Sequence, residues 1–344
     1  MAPIQSPPYQ RFVGIDVAAT SVTAAWVCST GAISRPLTIR QTPAGFAELE
    51  QQLCRDSIPP AQILVVMEAT STYWMALATY LVGKGFAVSV INPAQAHNFA
   101  KALLKRAKTD AIDAQTLAQL AALLQPTCWM PPPAPYNELY QRLSQRDTLL
   151  HMRGQLHNQR HALTQQPYVV PAVAARLDAL ITTLTADIHT LEQEIAELLT
   201  HDMFWADAAR RLQTIIGIGP LTAAWILVTT LNFTLCPTPE AATAYAGLAP
   251  NVFLSGSSVR GRASIGHTGN ARLRTALYMA ALSAMRHNPI LKATYTRLRE
   301  AGKPGKVATC AVARKLLHIA WAVVIKQRDF DPQYASPGAT EPAS

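Results

Sequence analysis

Acidic residues are almost missing from one part of this chain. Between positions 251 and 328 there are 14 Lys and Arg and a single acid, Glu300. A surface tuned only for solubility mixes both signs, so this bias points to a polyanionic partner. Cysteine is also scarce. The five (Cys28, Cys54, Cys128, Cys236, Cys310) lie far apart with no CxxC pair. That spacing argues against a zinc site and against a disulfide framework, and it fits a reducing cytoplasm. Apolar runs such as 221–231 are too short to span a bilayer. The first ten residues are polar and proline-rich, unlike a secretory leader. The expectation is a cytoplasmic protein with no membrane partner. No DxGxT-like phosphate loop follows a later strand, which argues against an actin-like ATPase or sugar kinase.

What is present is enough for two domains: 344 residues, 49% apolar and 15% charged. The net charge of +9 belongs to the region after 250, because the remainder holds 16 basic and 20 acidic residues.

Periodicity then divides the chain. "FVGIDV" (12–17), "SVTAAWVCS" (21–29) and "AISRPLTI" (32–39) read as three strands, the last an edge because of Pro36. "TPAGFAELEQQL" reads as a helix capped by Thr42, with Pro43 in its first turn. A buried strand at 63–68, a helix from 71, a strand at 87–92, a helix opened by Pro93 and a helix at 110–124 follow. This order predicts a mixed sheet flanked by helices over 11–125. Residues 126–136 are expected to be a proline-rich linker. Over 137–203, Leu177, Ile181, Leu184, Ile188, Leu191, Ile195 and Leu198 alternate spacings of four and three, a coiled-coil seam within an antiparallel helical hairpin or between chains. A mostly helical region at 204–330 holds Gly217 and Gly219 in a helix-hairpin-helix-like turn, whose backbone N–H groups suit a phosphate. Residues 331–344 read as a disordered tail.

Four carboxylates occupy telling places. Asp16 ends the first strand and Glu68 the fourth. Asp110 and Asp113 share one face at a helix start. Acids converging from these elements repel one another unless a cation lies between them. All-oxygen ligation suits Mg²⁺ or Mn²⁺, which activate nucleophiles on phosphodiesters. Lys105, Arg106 and Lys108 stand just before the aspartate pair, where they can guide a nucleic-acid backbone.

Together, "VGIDVA", "MEATSTYW", "VSVINPAQA", "KTDAIDAQTLA", "GLAP…SGSSVRG" and "GNARLRTALYM" resemble the insertion sequence 110 family of DEDD transposases, the bridge-RNA-guided recombinases. The resemblance runs from about Phe12 to Arg328. It implies an α/β RNase-H-like, RuvC-like first domain with Asp16, Glu68, Asp110 and Asp113 as its acids. After the coiled-coil helical hairpin and in the mostly α-helical region that follows, it implies a transposase domain with a serine nucleophile at the start of its SG motif. Three departures stand out: Ser71 where the family often has glycine, the apolar "NVFL" before the serine, and Gly266-His267 where relatives carry a nearby lysine.

The segment 254–276 answers to the same chemistry. Ser255, Ser257 and Ser258 are rival nucleophiles on residue type alone, and the resemblance favours Ser255. No His/Asp pair is close in sequence to activate a protease-like serine. Arg260, Arg262, Arg272 and Arg274 are close, and guanidinium groups bind phosphate oxygens bidentately. Lys303 and Lys306 extend the cationic stretch. The resemblance implies a phosphoserine link to DNA, a noncoding guide (bridge) RNA pairing with donor and target DNA, and a homo-oligomer, dimer or tetramer, in which one subunit's serine meets another's carboxylates. The alternative from the acids alone is a metal-dependent Holliday-junction resolvase-like nuclease, without a covalent intermediate. A non-catalytic nucleic-acid-binding scaffold is the remaining rival.

Overall fold

The computed structural model describes residues 9–28, 31–104, 109–201, 203–251, 254–255, 259–260, 264–265 and 269–333. The chain divides into two compact units, Met1–Pro131 and Pro132–Ser344.

The first unit is a mixed sheet clothed by helices. Its elements are β1 (Arg11–Val17), β2 (Ser21–Val27), β3 (Leu37–Arg40), α1 (Pro43–Leu53), β4 (Ile63–Glu68), α2 (Trp74–Gly83), β5 (Ala87–Ile91), α3 (Pro93–Ala102) and α4 (Asp110–Leu124). The strands lie in the order β3-β2-β1-β4-β5. The first three run antiparallel, whereas β4 and β5 run parallel to β1. The period of two along β4 sorts its side chains between two cores. Ile63, Val65 and Met67 join Phe46 and Leu49 of α1 and Leu77 and Leu81 of α2. Leu64 and Val66 join Ala96 of α3 and Leu117 and Leu120 of α4. Polar caps mark the helix starts. Thr42 Oγ1 accepts from Gly45 N at 3.2 Å, Thr109 Oγ1 from Ile112 N at 3.2 Å, and Asn92 closes a capping box with Gln95.

Two expectations need correction here. Residues 32–36 are not part of the third strand: Ile33 makes one isolated bridge to Val27, and β3 begins only after Pro36, which has no N–H to give a ladder. The proline-rich stretch from 126 is not a free linker throughout. Trp129 donates its backbone N–H to Val88 O at 2.6 Å and stacks edge-on against Trp74 with ring centroids 5.2 Å apart. The helix after it begins at Ala134.

The second unit is mostly helical: α5 (Ala134–Thr164), α6 (Pro171–His201), α7 (Ala206–Gln213), α8 (Pro220–Thr230), α9 (Pro239–Tyr245), then the two-residue strands β6 (Pro250–Asn251), β7 (Leu254–Ser255), β8 (Val259–Arg260) and β9 (Ser264–Ile265), and finally α10 (Ala271–His287), α11 (Pro289–Glu300) and α12 (Gly305–Ile325). α5 and α6 form an antiparallel hairpin. Its ion pairs Arg142–Glu194 (2.9 Å), Arg146–Glu192 (2.5 Å) and Arg160–Asp178 (2.8 Å) fix the register, since one number rises as the other falls. The expected seam residues are the shielded ones, with Ile188 and Ile195 buried and the other five half-buried. α7 to α12 surround one core. α12 is long and apolar enough to cross a membrane by length and composition, with Arg314 and Lys315 interrupting its apolar run. Yet it buries Val312, Leu316, Leu317 and Ala320 within the unit. Asn288 joins α10 to α11. It is fully buried, accepts from Leu291 N on its side chain and donates its Nδ2 to Ile216 O at 3.2 Å.

Candidate active site

The acidic cluster is assembled by one close approach. Gly14 lies two residues before Asp16 in β1, and α4 rests directly on it. A Cβ at Gly14 would stand 2.1 Å from both Ala114 O and Ala118 N. No other residue type fits there, and the absence of a side chain lets the α4 backbone lie on the strand. Moving from Gly14 to Asp16 along β1 then runs back along α4 toward Asp110 and Asp113. β4 lies parallel beside β1 with Ile15 opposite Met67, so the next positions set Asp16 beside Glu68.

The electrostatics record the convergence. Asp16 is pushed from its ordinary 3.8 up to about 6, by burial first and then by the charges of Asp110, Asp113 and Glu68. Asp16 therefore lies within the field of the other three. Among the described residues, however, no three His, Cys, Asp or Glu side chains already form a set that could hold a metal ion. Glu68 is held to one side, accepting from Thr70 Oγ1 at 2.8 Å. In chemical type the donors fit a hard divalent cation: four carboxylates on rigid elements, with negative charge in excess.

Ser71 follows in the loop after Glu68. Its φ is +57°, in the left-handed region that favours glycine, and its carbonyl accepts from Trp74 Nε1 at 3.1 Å. The backbone thus accounts for the glycine in the motif that Ser71 departs from.

In the second unit, Ser255 lies on β7, with Ser255 opposite Val259 and Leu254 opposite Arg260 of β8. Ser257, Ser258, Arg262, Lys105, Arg106 and Lys108 lie outside the described residues. Arg272 is exposed and its Nη1 lies 2.9 Å from Asp147 Oδ2, tying α10 to α5. Arg274 is half-buried and donates to Ala246 O at 3.2 Å. Lys303 and Lys306 are exposed beside the start of α12. Gly217 has a φ of +107°, and a Cβ there would lie 2.6 Å from Ala284 Cβ. Packing against α10 therefore explains that glycine without a ligand. Gly219 is the exposed N-cap residue of α8, with open space around its Cα.

Sequence reasoning missed Gly14, Thr70 and Trp129. A glycine inside an otherwise buried strand was the available signal for the first. Thr70 and Trp129 act only through contacts made by the folded chain.

Comparison with known proteins agrees in both units. The DEDD_Tnp_IS110 transposase model matches residues 13–168, and the "Transposase IS116/IS110/IS902 family" model matches residues 209–296. The chain is 31% identical over 323 residues to the pilin gene-inverting protein of Moraxella bovis, covering 94% of this chain and 98% of that one. It is 31% identical over 171 residues to the 43.6 kDa protein of insertion element IS110 from Streptomyces coelicolor, covering 47% and 40%. It is 26% identical over 187 residues to the 42 kDa protein of insertion element IS900 from Mycobacterium paratuberculosis, covering 54% and 46%.

Proposed function

This chain belongs to the insertion sequence 110 family of transposases, and from that premise we propose that it cuts and rejoins DNA with a serine of its second unit and the carboxylates of its first. The observation that carries the reading is the placement of Asp16 on β1 beside Glu68 on β4 and under the start of α4, where burial first and then the charges of Asp110, Asp113 and Glu68 raise its pKa. Asp16, Glu68, Asp110 and Asp113 are the residues that would hold Mg²⁺ or Mn²⁺. Such an ion, when bound, offsets the charge of a phosphate under attack.

The chain's own groups divide the remaining work. Ser255 Oγ forms a bond to phosphorus while the bond to the DNA 3′ oxygen breaks. The serine gives up its proton and the 3′ oxygen takes one, leaving a phosphoserine at the 5′ end and a free 3′ hydroxyl. The phosphodiester energy is kept in the link, so rejoining needs no ATP. Arg260, Arg262, Arg272, Lys303 and Lys306, with Lys105, Arg106, Lys108 and the Gly219 turn, supply backbone contacts to the nucleic acid. A noncoding bridge RNA supplies sequence choice for donor and target DNA. The α5–α6 hairpin serves as a coiled coil in a dimer or tetramer, in which the serine of one subunit works with the carboxylates of another. The strand order of the first unit supports an RNase-H-like, RuvC-like assignment. The pilin gene-inverting relative is named for a DNA rearrangement, which supports recombination over simple hydrolysis.

The test is to incubate wild-type, Ser255→Ala and Asp16→Asn proteins with plasmid DNA carrying the element's own ends, its adjoining noncoding RNA and Mg²⁺. The wild type is expected to give protein–DNA adducts on a denaturing gel, and both variants to give none. Cleavage by Ser255→Ala with hydrolysed ends would establish the nuclease reading instead.

A further inference from the structure

We propose that Gly269, Asn270 and Arg274 form a clasp at the base of the serine-bearing segment, with Arg274 a positioning residue for Ser255 rather than a phosphate contact. This rests on the reading of Ser255 as the nucleophile.

The clasp begins at the unfinished end of α9. A helix leaves its last carbonyls without intrahelical partners. α9 closes in a Schellman turn: Gly247 has a φ of +68° and bonds to Ala244 O at 2.9 Å, while Leu248 N reaches Thr243 O at 2.9 Å. That settles two carbonyls and leaves those of Tyr245 and Ala246. Both are taken by the start of α10. Asn270 donates its N–H to Tyr245 O at 2.7 Å, and Arg274 donates Nη1 to Ala246 O at 3.2 Å. A cation at this position also answers the negative end of the helix dipole.

Asn270 does a second job, since its side chain accepts from Leu273 N at 3.0 Å and caps α10. Gly269 makes the approach possible. Its φ is +108°, and a Cβ would stand 2.7 Å from Gly247 N and 2.8 Å from Tyr245 O, backbone against backbone. The foot on α9 is itself anchored. Tyr245 donates its hydroxyl to Thr229 O of α8 at 2.9 Å, and Thr243 Oγ1 lies 2.8 Å from His318 Nε2 of α12. Arg274 also faces Cys310 of α12, drawing down a thiol that burial pushes up.

Just past the clasp, Pro250 pairs with Ile265 and Asn251 with Ser264. The described residues that flank Ser255 in the sequence, Pro250 and Asn251 before it and Ser264 and Ile265 after it, therefore lie side by side. An attacking oxygen must be held within about 0.5 Å of its working position, and an error of about 1 Å costs about 100-fold in rate. A half-buried guanidinium already committed to a carbonyl is better placed to hold that base than to reach a phosphate.

The experiment uses full-length protein with the same plasmid, RNA and Mg²⁺. It measures the adduct-forming rate at saturating DNA, the DNA concentration giving half that rate, and DNA binding between about 50 and 200 mM salt. Arg274→Gln is expected to slow adduct formation about 100-fold, with half-saturation and salt slope unchanged. Wild-type binding serves as the folding control. Arg274→Lys keeps a donor toward Ala246 and is expected to recover part of the rate; it carries the same comparison should the glutamine variant not fold. Loss of DNA affinity, or a salt slope shallower by about one, marks a phosphate contact and overturns the clasp. So does a wild-type rate in Arg274→Gln when Ser255→Ala gives no adduct. Adducts persisting in Ser255→Ala overturn the nucleophile reading itself, separately from the clasp.

Discussion

Asp16 is the residue on which the first unit's electrostatics turn. Its folded pKa, about 6, lies above its ordinary 3.8, so its contribution to stability is present below about pH 4 and lost as pH rises through 6. In chelator, Asp16→Asn is therefore expected to match the wild type at pH 4 and exceed it at pH 8. The gain should be roughly 1–2 kcal/mol, because solvent reduces the full value of about 1.4 kcal/mol per pKa unit. Thermal melts across pH check this, and a variant less stable than wild type at pH 8 would count against mutual repulsion. Ser71 has the opposite character, a strain in the backbone alone. Ser71→Gly relieves a left-handed φ of +57° and is expected to add up to about 1 kcal/mol. A rise of a few degrees in Tm is the readout.

At the scale of elements, the fit of α4 on β1 decides whether the acids meet. Gly14→Ala puts a methyl group into the α4 backbone and is expected to cost about 3 kcal/mol or more in denaturant unfolding. If the variant folds, the Asp16 pKa should fall as Asp110 and Asp113 draw back, which NMR titration of the carboxyl can follow. Much of this unit was legible beforehand. Apolar and β-branched runs gave the strands, and Thr42 and Pro93 gave helix starts that the chain uses. The four acids were legible as strand-end and helix-start residues. Their shared field depends on Gly14, whose role lies in a contact across 100 residues and leaves no local periodicity. β6 to β9 were hidden for a different reason: at two residues each, they are too short to show alternation. Arg274 was legible as a cation, but its commitment to Ala246 O follows from the α9 turn.

For the molecule as a whole, charge is sorted along the chain. In the second unit, five cations of α5 and α7 meet acids: Arg142, Arg146 and Arg160 pair across the hairpin, and Arg210 and Arg211 pair with Asp207 and Asp329. The 14 cations between 251 and 328 have one acid in their own stretch. If six or more of them neutralise phosphates, binding of the full-length protein to duplex DNA should weaken by about 10³ or more between 50 and 200 mM salt. Fluorescence anisotropy over that range measures it, and a nearly flat response would remove the case for a polyanion-binding second unit.

The joint between α10 and α11 has a chemical consequence of its own. Asparagine in proteins ages when the next backbone nitrogen attacks its side-chain carbonyl, closes a succinimide and expels ammonia. Asn288 holds Ile216 and starts α11 with that same amide, so its conversion to aspartate would put a new charge in the core. The next residue is Pro289, which has no N–H to attack with. The one amide this corner depends on is thereby shielded from the commonest form of spontaneous decay.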